Sequence, residues 1–197
     1  MKDLGSNANV VSFDSESLIL VDPHDQEIGH LSKQDCHEGE GVLHRAFSLF
    51  IFNTEGKLLL QKRAPEKRLW PGYWSNSCCS HPRAGESMPE AVVRRLEQEL
   101  GIRADLQFIY KFIYQARFGT AGSENEFCWV YAGRGDETVV ANSTEISDWR
   151  YLGADDVDRE LDADPDSFTP WFRLEWRALR GEYRKQLTAA LAGQPKS

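Results

Sequence analysis

No stretch of this chain approaches the roughly 18 consecutive apolar residues that a membrane-spanning helix needs, so no membrane span is expected. The opening residues, MKDLGSNANV, hold no apolar core of the kind a secretion signal carries, and export is not expected either. Positive charge is in short supply: 23 Lys and Arg against 31 Asp and Glu leave a net charge of −8, which excludes a general nucleic-acid binder with a basic face. Cysteine is too sparse for a disulfide framework. Cys36, Cys78, Cys79 and Cys128 are the only four in 197 residues, and reduced thiols in the cytoplasm are the expectation. The neighbours Cys78 and Cys79 could close only a strained vicinal ring. Internal repeats and low-complexity linkers are absent. The length suits one domain with a substantial core, and 41% hydrophobic with 27% charged residues is an ordinary globular composition.

Polar residues 1–17 read as a flexible N-terminal arm, followed by a single domain over 18–197. Short apolar runs at 18–21 and 27–31, separated by the turn signal DPHD, predict a hairpin. Residues 32–43 show no period and read as a loop with at most one helical turn. The segment RAFSLFIFN (45–53) is apolar at every alternation and predicts a central strand buried on both faces. A strand over 57–63 follows, then a basic segment punctuated by Pro65 and Pro71. Residues 75–81 read as a loop. A helix is expected over 88–100, with Ser87 and Glu90 as a capping box, Pro89 in the first turn and Gly101 just past the end. Strands are expected over 106–117, 124–134 and 149–152, a short helix over 155–161, and one long C-terminal helix over 169–192.

Three groups of residues could carry chemistry. His37, His44, His81, Glu124 and Glu126 are five nitrogen and oxygen donors from three segments, suited to zinc, manganese or iron. On a strand Glu124 and Glu126 point the same way, and they repel unless exposed, protonated or bridged by a cation; a solvated edge is the alternative. Lys33, Arg63, Lys67 and Arg95 could converge on an anion, with Glu99 holding Mg²⁺ against phosphate oxygens, or they could be solvated surface charges. Cys79, near basic residues that would lower its pKa, is a nucleophile, a proton donor or a small core residue.

Residues 70–102 resemble the Nudix box, G-x5-E-x7-R-E-U-x-E-E-x-G-U with U aliphatic. Glu86, Arg94, Leu96, Glu99, Gly101 and Ile102 fall in register, while Ser80, Arg95 and Gln98 depart from it. The departures fit one branch. His37 and His44 followed by RAFS, the run KRAPEKRLWPGYWSNSCCSHP, RRLEQELG, ENE at 124–126 and SFTPW ending at Trp171 are together similar to the type I isopentenyl-diphosphate delta-isomerases, over residues 18–185.

The resemblance implies an α/β (α+β) fold, a Nudix-type mixed sheet sandwiched between helices with an N-terminal hairpin and a long C-terminal helix. It implies interconversion of isopentenyl and dimethylallyl diphosphate by protonation and deprotonation through a tertiary carbocation. One Mn²⁺ or Zn²⁺ would bind His37, His44, His81, Glu124 and Glu126. Mg²⁺ on the substrate diphosphate would be held with Glu99. Lys33, Arg63, Lys67 and Arg95 would bind the diphosphate. Cys79 and Glu126, assisted by Tyr114, would be catalytic, with Trp171 an aromatic wall and Trp74 a second candidate face; Cys78 would only pack. The partner is then a small isoprenyl diphosphate, with no nucleic acid and no membrane, on a monomer or weak homodimer. The competing expectation is a Nudix pyrophosphohydrolase of a nucleoside diphosphate derivative, which the loss of two box carboxylates, at 95 and 98, argues against.

Overall fold

The structure, a computed structural model, describes residues 7–192. Its organising strand is β3 (His44–Phe52), which is buried over almost its whole length. Phe47, Leu49 and Ile51 face one layer and Phe50 and Phe52 the other, so the continuous apolar run expected of a doubly covered strand is what the fold uses.

β3 pairs in parallel with β8 (Gly122–Arg134), from His44 opposite Glu126 to Phe52 opposite Arg134. β8 in turn forms a long antiparallel hairpin with β7 (Asp105–Phe118). On the other side of β3 lie β1 (Ser17–Val21), which forms the expected hairpin with β2 (Glu27–Ser32), and β4 (Leu58–Arg63). β9 (Ile146–Leu152) continues the sheet from β4. The sheet is therefore mixed. Two further strands appear inside the expected loop at 75–81: β5 (Trp74–Ser75) pairs with β4, and β6 (Cys78–Ser80) pairs with β3. Backbone hydrogen bonding to strands already in place stabilises segments too short to signal themselves by pattern.

One face of the sheet is covered by α2 (Met88–Leu100), through Ala91, Val92, Leu96 and Leu100. The Glu90 carboxylate accepts from the Ser87 N–H at 2.9 Å, the capping box read from the sequence. Gly101 closes the helix at φ 64°, a left-handed conformation open to glycine at little cost. The other face carries α3 (Ala154–Ala163), α4 (Pro170–Arg180) and α5 (Arg184–Ala192), with Trp171, Phe172, Trp176 and Leu179 of α4 at the centre. The single helix expected over 169–192 is two helices. At Gly181, φ −106° and ψ −98° leave the helical range, and Tyr183 stacks flat on Tyr110 at 4.1 Å as the chain turns. A four-residue helix, α1 (Lys33–Cys36), is the one turn expected in the 32–43 loop.

The N-terminal arm, expected over 1–17, lies partly outside the described residues, at 1–6. From Asn7 onward it runs over α2 and the loop before β9. Asn7 O accepts from Ser143 N–H (3.0 Å), Asn9 O from Asn142 Nδ2 (2.8 Å) and Val11 O from Arg95 Nη1 (2.9 Å).

Glu175 is a carboxyl set in the α4 core, fully buried, with Cys128 Sγ donating to Oε1 at 3.4 Å and no partner for Oε2 among the described residues. Burial pushes it up to about 8, against the opposing pull of its contacts with Ser48 and Cys128. In the unfolded chain it titrates near 4.3, so from about pH 4.5 to 8 the native state binds a proton the unfolded state has lost. Stability should fall through that window by up to about 1.4 kcal/mol per pH unit on this account, and Glu175→Gln should remove that slope. Urea unfolding of both proteins between about pH 5 and pH 8 checks this. Parallel pH curves would show that Glu175 is not holding the proton.

Candidate active site and metal centre

The parallel register of β3 and β8 sets His44 beside Glu126, and Glu124 lies two residues back on the same face of β8. His37 arrives from the end of α1 and His81 from the end of β6. Gly122 makes this convergence possible, because a Cβ there would stand 2.3 Å from the His37 carbonyl, the same carbonyl that accepts from Ser123 N–H at 3.0 Å. All five side chains are buried, and their ligand atoms lie within 4.8 Å of one another. The ring centroids of the histidines are 4.8–5.4 Å apart.

Backbone carbonyls fix two of the tautomers. His37 Nδ1–H donates to Lys33 O (2.6 Å) and His44 Nδ1–H to Val42 O (2.7 Å), which aims each Nε2 inward. His37 Nε2 is 2.8 Å from Glu124 Oε2, and His81 Nε2 2.9 Å from Glu126 Oε1. His44 Nε2 and Glu124 Oε2 have no aligned hydrogen-bond partner. Burial, then the neighbouring His37, drives His44 down to about 4; burial, then His44 and His37, holds His81 far below the usual imidazole range. At His37 burial also acts downward, but Glu124 outweighs it and the net shift is upward. Glu124 falls to about 2 because His37 overcomes its burial, while burial and then Glu124 lift Glu126 far above the carboxylate range. Two facing buried carboxyls do not both ionise without a cation between them. Two imidazoles held neutral by burial, three ring nitrogens converging on two carboxyls, and orphaned buried atoms fit a divalent ion with three nitrogen and two oxygen donors.

Tyr114 sits opposite Glu126 in the β7–β8 ladder, and its hydroxyl donates to Glu126 Oε2 at 2.5 Å. Cys79 pairs with Ser48 and faces the α4 layer, whereas Cys78, one pleat away, packs in the α2 layer. The four cysteines are unpaired, so no vicinal ring forms. Burial pushes the Cys79 thiol up to about 12, although Arg63 draws it back. Trp171 opens α4, its indole N–H shared between Ser75 Oγ (3.0 Å) and Asn76 Oδ1 (3.2 Å). Trp70, held at φ 48°, meets it edge-on with centroids 5.3 Å apart. Arg63 lies 5.3 Å over the Trp171 ring and donates to the Leu69 and Trp70 carbonyls. Trp74, the second aromatic candidate, is elsewhere: the Arg150 guanidinium stacks on it at 4.0 Å, and it does not line the cavity.

Lys33, Arg63, Lys67 and Arg95 all line one cavity of about 270 Å³, which Cys79, Tyr114, Glu126 and Trp171 also line. Burial, then the nearby Lys67 charge, brings Lys33 down to about 8. Of the residues singled out in the sequence, His44 and Glu99 stand behind the lining. His44 closes the back of the histidine cluster, and Glu99 pairs with Arg95 inside the protein. Two of the Nudix-box positions brace the site from behind. Glu86 binds Arg94 through both carboxylate oxygens (2.6 and 2.8 Å), and Arg94 Nη2 donates to the His81 carbonyl (3.3 Å). Pattern reading missed Glu145, which also lines the cavity and meets Lys67 and Arg95. It stands in an irregular loop, outside every motif.

The family model for the NUDIX domain matches residues 42–172. Among curated proteins, the chain is 42% identical over 163 residues to "Isopentenyl-diphosphate Delta-isomerase 1" of Photorhabdus laumondii, covering 82% of this chain and 93% of the relative. It is 40% identical over 177 residues to the "Isopentenyl-diphosphate Delta-isomerase" of Escherichia coli O6:H1, covering 89% and 96%. Among solved structures, a protein of Deinococcus radiodurans superimposes with a TM-score of 0.62 at 26% identity, covering 75% of this chain and 90% of that one. The MutT protein of Methanosarcina mazei shares the fold, with a TM-score of 0.59 at 18% identity over 71% of this chain and 94% of its own.

The purified protein should carry about one transition-metal ion per chain, measured by elemental mass spectrometry. His44→Ala should lower metal affinity by more than the roughly 10–100-fold that outer-sphere changes cost, and a chelator should lower the wild-type Tm. Unchanged metal content in His44→Ala would rule out the cluster as the site.

Proposed function

Since the chain belongs to the NUDIX-domain family and, within it, to the isopentenyl-diphosphate delta-isomerases, we propose that it interconverts isopentenyl and dimethylallyl diphosphate in the cavity described above. The observation that carries this reading is that a thiol, Cys79, and a carboxyl, Glu126, line one cavity together with an aromatic wall, Trp171, and four cations, Lys33, Arg63, Lys67 and Arg95.

The diphosphate binds Lys33, Arg63, Lys67 and Arg95, which leaves the five-carbon tail between Cys79 and Glu126 under Trp171. Moving the double bond requires one group to hold a proton and another to have lost its own. Glu126 gives its proton to the terminal CH₂ of the alkene, whose π electrons form the new C–H bond and leave a tertiary cation. Cys79, acting as the thiolate with Arg63 opposing the upward push of its burial, takes a proton from the CH₂ that lies between the cationic carbon and the CH₂–O of the diphosphate ester, and the C–H electrons form the new double bond. The reverse reaction exchanges the two roles. Tyr114 holds Glu126 by its 2.5 Å hydrogen bond to Oε2. Trp171 offers its ring face to the cation, worth about 1–2 kcal/mol when desolvated. Trp70 and Leu69 keep water, which would trap the cation, away from it.

When bound, Mn²⁺ or Zn²⁺ at His37, His44, His81, Glu124 and Glu126 would fix Glu126 and strengthen it as an acid, and Mg²⁺ at Glu99 would neutralise part of the diphosphate charge. Residues 18–197 act as one catalytic domain and residues 1–17 as an arm, of which Val10, Ser12 and Asp14 line the cavity; residues 1–6 and 193–197 lie outside the described residues. Every proposed site residue comes from one chain, so a monomer or weak homodimer suffices. Four unpaired thiols support a reducing, cytoplasmic location, and the net charge of −8 supports a small-molecule partner in place of nucleic acid. No helix among the described residues is long and apolar enough to cross a membrane.

Incubation with isopentenyl diphosphate and Mg²⁺ should yield dimethylallyl diphosphate. Cys79→Ala should cut turnover by about 10²–10⁴-fold, with metal content and Tm unchanged. Cleavage of a nucleoside diphosphate derivative into a nucleoside monophosphate and a phosphate monoester, with no isomer formed, would select the hydrolase reading instead. Substantial isomerase activity in Cys79→Ala would remove Cys79 from its role.

A further inference from the structure

Glu145 is a charged residue at the cavity that the mechanism above leaves without a task. It lies in the loop entering β9, is 6% exposed and lines the cavity. Lys67 Nζ donates to its Oε2, and Arg95 Nη2 stands 3.4 Å from the same oxygen. These two cations come from separate segments, one from the basic loop after β4 and one from the middle of α2. Glu145 also anchors that loop through its backbone, its carbonyl accepting from Ala64 N–H at 2.9 Å. Its amide is fixed as well, since its N–H donates to Asn142 O at 3.1 Å.

Four buried or half-buried cations facing one cavity repel one another, and the nearby Lys67 already works against the charge on Lys33. Besides the histidine-cluster carboxyls Glu124 and Glu126, two buried carboxylates form ion pairs with these cations, Glu99 with Arg95 and Glu145 with Lys67 and Arg95. Glu99 is proposed to share Mg²⁺ with the substrate, whereas Glu145 remains on its two cations. A diphosphate monoester carries about three negative charges above pH 7 and about one once Mg²⁺ is bound. A fixed anion inside the cationic cluster penalises the more highly charged species more.

We propose that Glu145 is a positioning residue and a specificity determinant for the diphosphate. It holds Lys67 and Arg95 together on one carboxylate at the spacing the phosphate oxygens meet, and its charge makes the clamp prefer magnesium-loaded diphosphate to the free anion. This rests on the isomerase reading for the identity of the substrate.

The test uses the metal-loaded enzyme and the variants Glu145→Gln and Glu145→Asp. For isopentenyl diphosphate at saturating Mg²⁺, Glu145→Gln should raise KM about tenfold while kcat falls by about threefold or less, with Glu145→Asp recovering part of the KM loss. In calorimetry with inorganic pyrophosphate, the ratio of affinities with and without Mg²⁺ should drop at least about fivefold in Glu145→Gln. A lowered kcat or Tm with KM and that ratio both within about twofold of wild type would make Glu145 merely structural and overturn the proposal. Pyrophosphate binding does not depend on turnover. A wild-type protein that binds magnesium pyrophosphate but forms no isomer would sink the proposed reaction, and the affinity ratio would still decide the role of Glu145.

Discussion

Parallel pairing of β3 with β8 is the constraint from which the rest of the site follows. It places an imidazole from the first residue of one strand beside a carboxyl from the fifth residue of the other, with His44 fully buried and Glu126 exposed only slightly, at the cavity. Burial alone would make such a grouping costly, since each charge loses its hydration. The cost is offset only by converging partners, and the neighbouring segments supply them. Gly122 lets β8 pass close beneath the His37 carbonyl, β6 hangs from β3 to deliver Cys79 and His81, and the Glu86–Arg94 pair braces His81 from behind. Moving one residue along either strand would turn the whole set toward the opposite face.

The same sheet separates two kinds of chemistry along one cavity. Toward Cys79 and Trp171 the surroundings are aromatic, and burial forces the Cys79 thiol up to about 12 and His44 down to about 4, while Glu124 stays ionised only through its pairing with His37. Near α2 and the loop after β4 the surroundings are charged, and Glu145 is kept ionised because Lys67 and Arg95 overcome its burial. Arg63 joins the two ends, with its guanidinium over the Trp171 ring and its N–H groups on the Leu69 and Trp70 carbonyls. A reaction that passes through a cation needs the first environment, and a diphosphate needs the second.

Much of this was legible in the sequence, for physical reasons that differ from part to part. β3 announced itself because a strand covered on both faces has no polar alternation. α2 announced itself through its capping box and its terminal glycine, which are local. The five donors were visible as residue types, and the motif resemblance tied them to one cluster. Short strands β5 and β6 were not visible, because their order comes from pairing with β4 and β3 and leaves no period in two or three residues. The break at Gly181 was hidden by apolar spacing that continues across it. Trp74 was misassigned since aromatic content alone does not tell a cavity wall from a ring stacked under Arg150. Glu145 left no trace, because its partners lie 78 and 50 positions away in the chain and meet it only in three dimensions.

The pleat of β6 has one more consequence. Neighbouring sulfurs on a strand project to opposite faces, so Cys78 is sealed in the α2 layer while Cys79 borders the cavity. A sulfenic acid formed at Cys79 by peroxide would find no resolving thiol in its own neighbour, despite the adjacency in sequence. Recovery would depend on a small reductant entering by the same mouth as the substrate, and damage at this position would track how often that mouth stands vacant.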